Sequence, residues 1–510
     1  MAPKRKDQWE YGDFQTPSDL AEQAISVLIK LDIHPGSILE PTCGRGSFLL
    51  SAAQAFPSTH TCIGIDINGQ HLSDLGTRVA TVEKGKRISL RLGDFFTFKW
   101  DELLTTLPEP ILIVGNPPWV TSAELGILQS KNLPQKSNFQ VRRGYDAITG
   151  KSNFDISEWM LLKHFEWLKG RSGIIAILCK TSVARKVLSY AWKSDLPISL
   201  AHMYLIDAQK HFGASVDACF FVVGLHKNTA SRACLIYENL SDSCPSHSIG
   251  FYDDLLLSNV KKYERSRHLK GTDYAYIWRS GIKHDCSKVM ELERCSRGYK
   301  NGYGELVKLE RDYVYPLLKS SDISNGNLRL GRKYMLVTQR FVGESTETIK
   351  RTAPATWRYL ENHEDALAKR ASSIYRNRPR FSVFGVGSYS FSPWKVAISG
   401  FYKKLAFKAV GPFEKKTVVL DDTVYFLPCW SESEAAFVAG LLNSQPARDF
   451  FDSIIFWSDK RPITIDILKK LDLHALSKEL GKEEDYLHFA QQRREREKEE
   501  VEGQLSAGHC

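Results

Sequence analysis

The run "ILIVGNPPWVTS" at residues 111–122 ends four aliphatics at Gly115 and continues with Asn116, Pro117, Pro118 and Trp119. Paired prolines stop a strand and supply no N–H, so a rigid turn is the plain account of them. An amide, a stiff proline carbonyl and a large indole at one place also offer hydrogen-bond acceptors and a flat apolar face. Polar residues likewise close three earlier apolar runs, with Glu40, Asp66 and Asp94 in those positions. One such strand end is commonplace, because Asp and Asn favour turns. Four in series describe a pocket. Three of its four members are acids, so it suits a ligand that brings positive charge or hydrogen-bond donors better than one that brings phosphates.

"LEPTCGRGSF" sets Glu40, Gly44 and Gly46 at a strand-to-helix turn, where glycine permits close approach to the backbone. A G-x-G of this kind lacks the third glycine of the dinucleotide fingerprint. Asp66 follows about 20 residues later, where a carboxylate accepts from ribose hydroxyls. Asp94 is placed to accept from an adenine amino group, with Phe95 as a flat neighbour. Together they describe a nucleoside-containing cofactor without a pyrophosphate to cradle.

The elements that must carry these residues alternate. Thr16 caps and Pro17 begins a helix whose Leu20, Ala21, Ala24, Ile25 and Leu28 recur at helical spacing. Strand "SILE", helix "SFLLSAAQAF", strand "TCIGIDI", helix "HLSDLGTRVATV" and strands "ISLRLGDF" and "PILIVGN" follow. A polar loop near 121–153 leads to helix "ISEWMLLKHFEWLK", strand "GIIAILC" and a last strand pair, "AHMYLID" and "DACFFVVGL". This order predicts an α/β, Rossmann-like domain with a mostly parallel sheet that binds ligands beyond its strands' carboxyl ends. Beyond about Asp254 the alternation becomes irregular. The reading is a catalytic domain over 1–255, a mixed α/β domain over 256–475, and a charged tail over 476–510 that forms a solvated helix or a frayed end.

At 510 residues the chain can hold two or three cored domains. No apolar run approaches the ~20 residues of a membrane span, and the N-terminus lacks a signal's hydrophobic segment. A cytoplasmic enzyme is expected. The ten cysteines form no C-x-x-C pair, and His284, Cys286 and Cys295 match no common zinc spacing, so no metal is expected. The net charge of +10 is unevenly spread: from Ala366 to Phe413 there is no acid and there are nine Lys or Arg, interleaved with aromatics. That stretch points to nucleic acid, with Arg376, Arg378, Arg380 and Lys395 as contacts. Lys460 and Arg461, in a loop before a helix, suit backbone phosphates. The Trp278–Arg279 pair fits either DNA contact or a structural stack.

"GDFQTP", "LEPTCGRG", "GIDI", "GDFF" and "GNPPW" stand in the order found in gamma-class DNA adenine-N6 methyltransferases of restriction–modification systems. The first 225 residues or so resemble that family, and the second half looks like its target-recognition domains. The resemblance implies S-adenosylmethionine as cofactor and double-stranded DNA as partner. Carried onto this chain, Thr16, Pro17, Glu40, Gly44 and Gly46 would bracket the methionine part, Asp66 the ribose, and Asp94 with Phe95 the adenine. Asn116, Pro117, Pro118 and Trp119 would form the catalytic segment. Phe154 and Phe212 would line the target-base pocket. A cognate restriction endonuclease acting on the same site, and a monomeric enzyme, are further expectations.

The chemistry of "NPPW" agrees. An exocyclic adenine amine is a poor nucleophile because its lone pair is delocalised into the ring. Two acceptors aimed at its hydrogens, the Asn116 side-chain carbonyl and the Pro117 backbone carbonyl, would favour a pyramidal nitrogen and stabilise the developing charge. The base must leave the duplex, and Trp119 offers a face to stack on. N4-cytosine methylation is the nearest alternative, though Ser or Asp more often replaces Asn116 there. RNA or protein-glutamine methylation fits less well with a basic, aromatic-rich second half.

Overall fold

The apolar runs that end in the candidate residues are buried along their length and pair side by side. In the computed structural model, which describes residues 15–82, 87–120, 155–226, 230–325, 328 and 330–507, β1 (Ser37–Glu40) and β4 (Ile111–Gly115) have no exposed position. Both faces are covered, as expected of continuous apolar runs in a parallel sheet. The helices α1 (Ser18–Lys30) and α2 (Ser47–Ala55) pack on each other. Leu20, Ala24, Phe48, Leu49 and Ala52 lie in one core with Ile38, Leu112 and Val114 of the sheet.

Between them run β2 (Thr61–Asp66), α3 (Gly69–Val82), β3 (Arg87–Leu92) and α4 (Trp100–Leu104). After β4 come α5 (Ile156–Trp167), β5 (Gly173–Lys180), α6 (Thr181–Lys193), β6 (Ile198–Ile206), α7 (Ala208–Phe212) and β7 (Ala218–Leu225). The strands β8 (Ala233–Tyr237), β9 (His247–Tyr252) and β10 (Leu255–Leu257) complete a ten-stranded sheet of order β10-β9-β8-β6-β7-β5-β4-β1-β2-β3. Strands β1 to β5 pair in parallel, whereas β7 lies antiparallel between β5 and β6. From β1 the chain winds outward to β2 and β3, then returns to start β4 on β1's other side. That reversal is a topological switch point, where a crevice opens beyond the carboxyl ends of the strands.

Two local expectations shift by a residue or two. Helix α1 begins at Ser18, so Pro17 is its cap residue (φ −56°, ψ 140°) and Thr16 stands outside it. The Thr16 hydroxyl is instead engaged by Asn116, described below. Asp94 lies just past β3, which ends at Leu92.

Residues 1–261 and 262–510 form two compact units. The second contains a six-stranded and a four-stranded sheet. The four-stranded sheet pairs Trp394–Ser399 between Val424–Cys429 and Lys408–Val410. The tail expected to be solvated is in part docked. In the helix Glu483–Ala507, Tyr486, Ala490 and Arg493 are buried. Arg493 Nη1 donates to Glu434 Oε1 (2.9 Å) and to the Pro428 carbonyl (2.8 Å), Nε donates to the Ala275 carbonyl (2.7 Å), and the guanidinium lies 4.5 Å from the Tyr276 ring. Charge density along the tail sequence hides this anchor, because one well-paired arginine offsets its burial through several bonds at once.

Removing one partner of a buried ion pair leaves the other charge uncompensated. Arg493→Met should therefore destabilise the second unit by about 3–5 kcal/mol in urea unfolding. A loss below about 1 kcal/mol would mean that the pair behaves as a surface salt bridge.

Candidate active site

A cavity of about 560 Å3 opens beyond the carboxyl ends of β1, β2 and β4. Thr16, Glu40, Gly44, Asp66, Asp94, Phe95, Asn116 and Pro118 all line it. These residues come from five separate segments of the chain, and the parallel pairing of β1 with β2 and β4 is what assembles them. Among the described residues no lysine or arginine lines it.

Glu40 forms one wall of the cavity. The residue is 3% exposed and its Oε2 accepts from the Leu49 backbone N–H at 2.8 Å. Burial raises its pKa well above the ordinary carboxylate value, partly countered by the Leu49 bond and reinforced by Asp66 nearby. A cation entering the cavity would favour its ionised form. Asp66 has one oxygen on the Gly44 N–H (2.7 Å) and the other on the Asn68 N–H (2.8 Å). Each carboxylate oxygen keeps a second lone pair for a ligand hydroxyl. Asp94 Oδ1 accepts from the Phe96 N–H at 2.9 Å.

The two glycines divide the labour. Gly44 (φ +49°) lies at the cavity, and a Cβ there would come within 2.8 Å of the Gln15 side chain. Gly46 (φ +75°) is the entry residue of α2 in the left-handed region, where a Cβ would meet Leu75 at 2.5 Å. It is therefore a packing glycine, not a cavity residue. Phe95 presents to the cavity from an aromatic nest of Trp100 (5.2 Å between centroids), Trp167 (5.4 Å), His164 (5.8 Å) and Trp159 (5.9 Å).

Asn116 follows β4 directly and its Nδ2 donates to Thr16 Oγ1 at 3.3 Å. Pro117 is buried and Pro118 is half-buried. Trp119 differs from expectation: it is 9% exposed, its indole N–H donates to the Leu178 carbonyl (3.3 Å), and its ring packs edge-on against Phe212 (5.2 Å, 69°). The indole is thus held between β5 and α7 in this structure. Phe212 is half-buried on top of it. Phe154 lies outside the described residues.

The sequence reading missed several lining residues. Asn68 caps α3, accepting from Gln70 at 3.0 Å, and the Asn-Gly turn before a helix was the signal for it. His71, Met160 and Phe96 also line the cavity, with no signal beyond their place in an element.

In the second unit, Arg376, Arg378, Lys460 and Arg461 are exposed, Arg461 lying 4.3 Å from the Phe401 ring. Arg380 is committed to Glu364 through two bonds of 3.0 and 2.9 Å. Lys395 is corrected: it is 1% exposed on a central strand, its Nζ donates to the Ser392 carbonyl at 2.7 Å, and burial lowers its pKa to about 7. Alternation along Trp394–Ser399 fails to reveal this, because nearly the whole strand is buried. Trp278 is likewise buried, and Arg279 stacks 4.5 Å from Tyr389.

A doubly wound sheet, a glycine turn after β1, acids at the ends of β1 and β2 and after β3, and an amide after β4 define a Rossmann-like S-adenosylmethionine-dependent methyltransferase. The residues fit that cofactor: carboxylates for a cationic, hydroxyl-rich ligand, a bare backbone at Gly44, and the Phe95 ring at the wall. Comparison with known proteins agrees. The N-6 DNA methylase family matches residues 4–186. The type II methyltransferase M.NspV of Nostoc sp. (strain ATCC 29411 / PCC 7524) is 44% identical over 473 residues, spanning 93% of this chain and 98% of that protein. The type II methyltransferase M.CvrRI of Paramecium bursaria Chlorella virus XZ-6E is 29% identical over 117 residues, 23% of this chain and 27% of that one. Among solved structures, the type IIL restriction–modification enzyme MmeI in complex with DNA aligns over 89% of this chain and 64% of its own at 12% identity, with a TM-score of 0.49. The chain belongs to the N-6 DNA methylase family. It is an S-adenosylmethionine-dependent DNA methyltransferase acting on the N6 amino group of adenine.

The nest behind Phe95 has a measurable signature. His164 is 2% exposed, has no hydrogen-bond partner on either ring nitrogen among the described residues, and burial lowers its pKa from 6.5 to about 3. The unfolded chain takes up a proton below pH 6.5 that the folded one refuses until about pH 3, so stability is present above 6.5 and lost as pH falls. Unfolding free energy should decline by about 1.4 kcal/mol per pH unit from this group below pH 6. His164→Phe should flatten that slope, and an unchanged slope would assign it to other groups.

Proposed function

We propose that Asn116 and Pro117 are the acceptors that activate the target adenine, while Thr16, Glu40, Gly44, Asp66, Asp94 and Phe95 hold the cofactor. The observation that carries this reading is that Asn116 shares one cavity with the three acids, at the strand pair where the winding of the sheet reverses. S-adenosylmethionine, when bound, supplies an electrophilic methyl group beside a sulfonium charge. Glu40, desolvated and anchored by Leu49, is suited to the cationic part. Asp66 accepts from ribose hydroxyls, and Asp94 accepts from the adenine amino group beside Phe95.

Asn116 Oδ1 and the Pro117 carbonyl accept from the target N6 hydrogens, drawing the lone pair out of conjugation and stabilising the positive charge that develops on the nitrogen. The stiff Pro117–Pro118 pair fixes both acceptors without a conformational search. Thr16 holds the amide by its nitrogen end, which presents the carbonyl end to the substrate. The adenine reaches the site by leaving the duplex, and Phe212, propped by Trp119, serves as its neighbour. Arg376, Arg378, Lys460 and Arg461 take DNA phosphates. The enzyme acts as a cytoplasmic monomer, the modification partner of a restriction endonuclease that cuts the same site. Nothing in this reading requires the two proteins to touch.

Asn116→Ala should lower kcat by about 10²–10³ while S-adenosylmethionine binding, followed by calorimetry, stays within about three-fold. Equal loss of binding would make Asn116 a structural partner of Thr16 and remove it from the chemistry.

A further inference from the structure

The same strand-end logic extends to a fifth strand that the reading above leaves unused. Strand β5 runs parallel to β4, with Gly115 opposite Ile177, so its last residue, Lys180, projects past the end of β4 and onto the segment Asn116–Val120. Its Nζ donates to the Trp119 carbonyl at 3.1 Å and to Asp155 Oδ2 at 2.7 Å. Both side chains are largely sheltered, Lys180 19% exposed and Asp155 8%. Asp155 is itself held: its other oxygen accepts from the Ser157 N–H at 3.0 Å and so caps α5. One residue on, the Ile156 N–H donates to the Val120 carbonyl at 3.0 Å. The segment after the prolines is thus tied to β5 and to the start of α5 by three separate bonds, counting that of the Trp119 indole to Leu178.

We infer that Lys180, anchored by Asp155, is a positioning residue for methyl transfer. It fixes the carbonyl of Trp119 and thereby the Pro117–Pro118 turn that presents the two acceptors. The inference rests on the reading of Asn116 and Pro117 given above. Prolines make the turn stiff but do not say where it points; an outside contact must. Lys180 supplies it, and the charge of Asp155 keeps the ammonium from turning to solvent. A sheltered charge-assisted bond is short and directional, which suits a group whose task is location. Displacement of a reacting geometry by an ångström costs up to about 100-fold in rate. Lys180 is not among the described residues that line the cofactor cavity, so loss of the clamp should leave cofactor binding in place.

The test uses the full-length enzyme, tritiated S-adenosylmethionine and mixed-sequence DNA. Lys180→Met should lower kcat by about 10–100-fold with the KM and Kd for S-adenosylmethionine within about two-fold of the parent. Lys180→Arg, which can still donate to both partners, should regain part of the loss. Asp155→Asn keeps an α5 cap and should fold even if Lys180→Met does not; it too should lower kcat selectively. A kcat within two-fold of the parent in both Lys180→Met and Asp155→Asn, or parallel loss of kcat and cofactor affinity, would overturn the inference. If Asn116→Ala stays active while these variants do not, it is the acceptor reading that fails.

Discussion

The site depends on two strand ends meeting at the point where the sheet changes its direction of winding. Strands β1 and β4 lie in parallel register, Leu39 beside Ile113, so Glu40 and Gly115 finish side by side. Gly115 adopts φ +146°, a conformation open to glycine, and the place where its Cβ would stand is 3.4 Å from Glu40 Cγ. The bare strand end turns the chain sharply, bringing Asn116 over the cavity whose wall Glu40 forms. Burial at that depth disfavours the ionised carboxylate, a positive ligand would favour it, and a side-chain amide next to it is neutral and adds no repulsion. Glu40 and Asn116 thus line one cavity from neighbouring strand ends.

Around that meeting point the protein invests in rigidity. The Pro117–Pro118 pair has little freedom, the Trp119 indole is driven under Phe212, and Lys180, Asp155 and Ile156 tie the segment to neighbouring elements. On the other side the Phe95 ring is wedged among Trp100, Trp159, His164 and Trp167. Each of these arrangements removes a motion that would otherwise have to be frozen during the reaction. The buried imidazole of His164, without a hydrogen-bond partner among the described residues, is the visible cost of such dense packing.

Much of the catalytic half was legible in the sequence because its cause is local. Buried parallel strands must be apolar and must end in something polar, so Glu40, Asp66 and Asn116 announce themselves, and the helices between them carry a 3.6-residue period. What was hidden depends on partners far away in the chain. The antiparallel insertion of β7 between β5 and β6 leaves no mark on periodicity. The contacts of Trp119 with Leu178 and Phe212 were hidden too, because an indole beside prolines gives no sign of either partner. Lys395 read as a DNA contact because composition cannot tell a solvated lysine from one bonded to Ser392 inside a sheet. Arg493 shows the reverse error, a buried anchor inside a run of charges. Lys180 was within reach: it ends a strand as Glu40 does, but a lysine closing an apolar run looks like ordinary solvation.

In the proposed reaction the amide after β4 acts on the exocyclic amine of adenine in DNA. The most direct measurement is to incubate the protein with labelled S-adenosylmethionine and mixed-sequence double-stranded DNA, digest the product to nucleosides and separate them. The label should appear in N6-methyladenine alone. Label in N4-methylcytosine, or in the protein with none in the DNA, would contradict it.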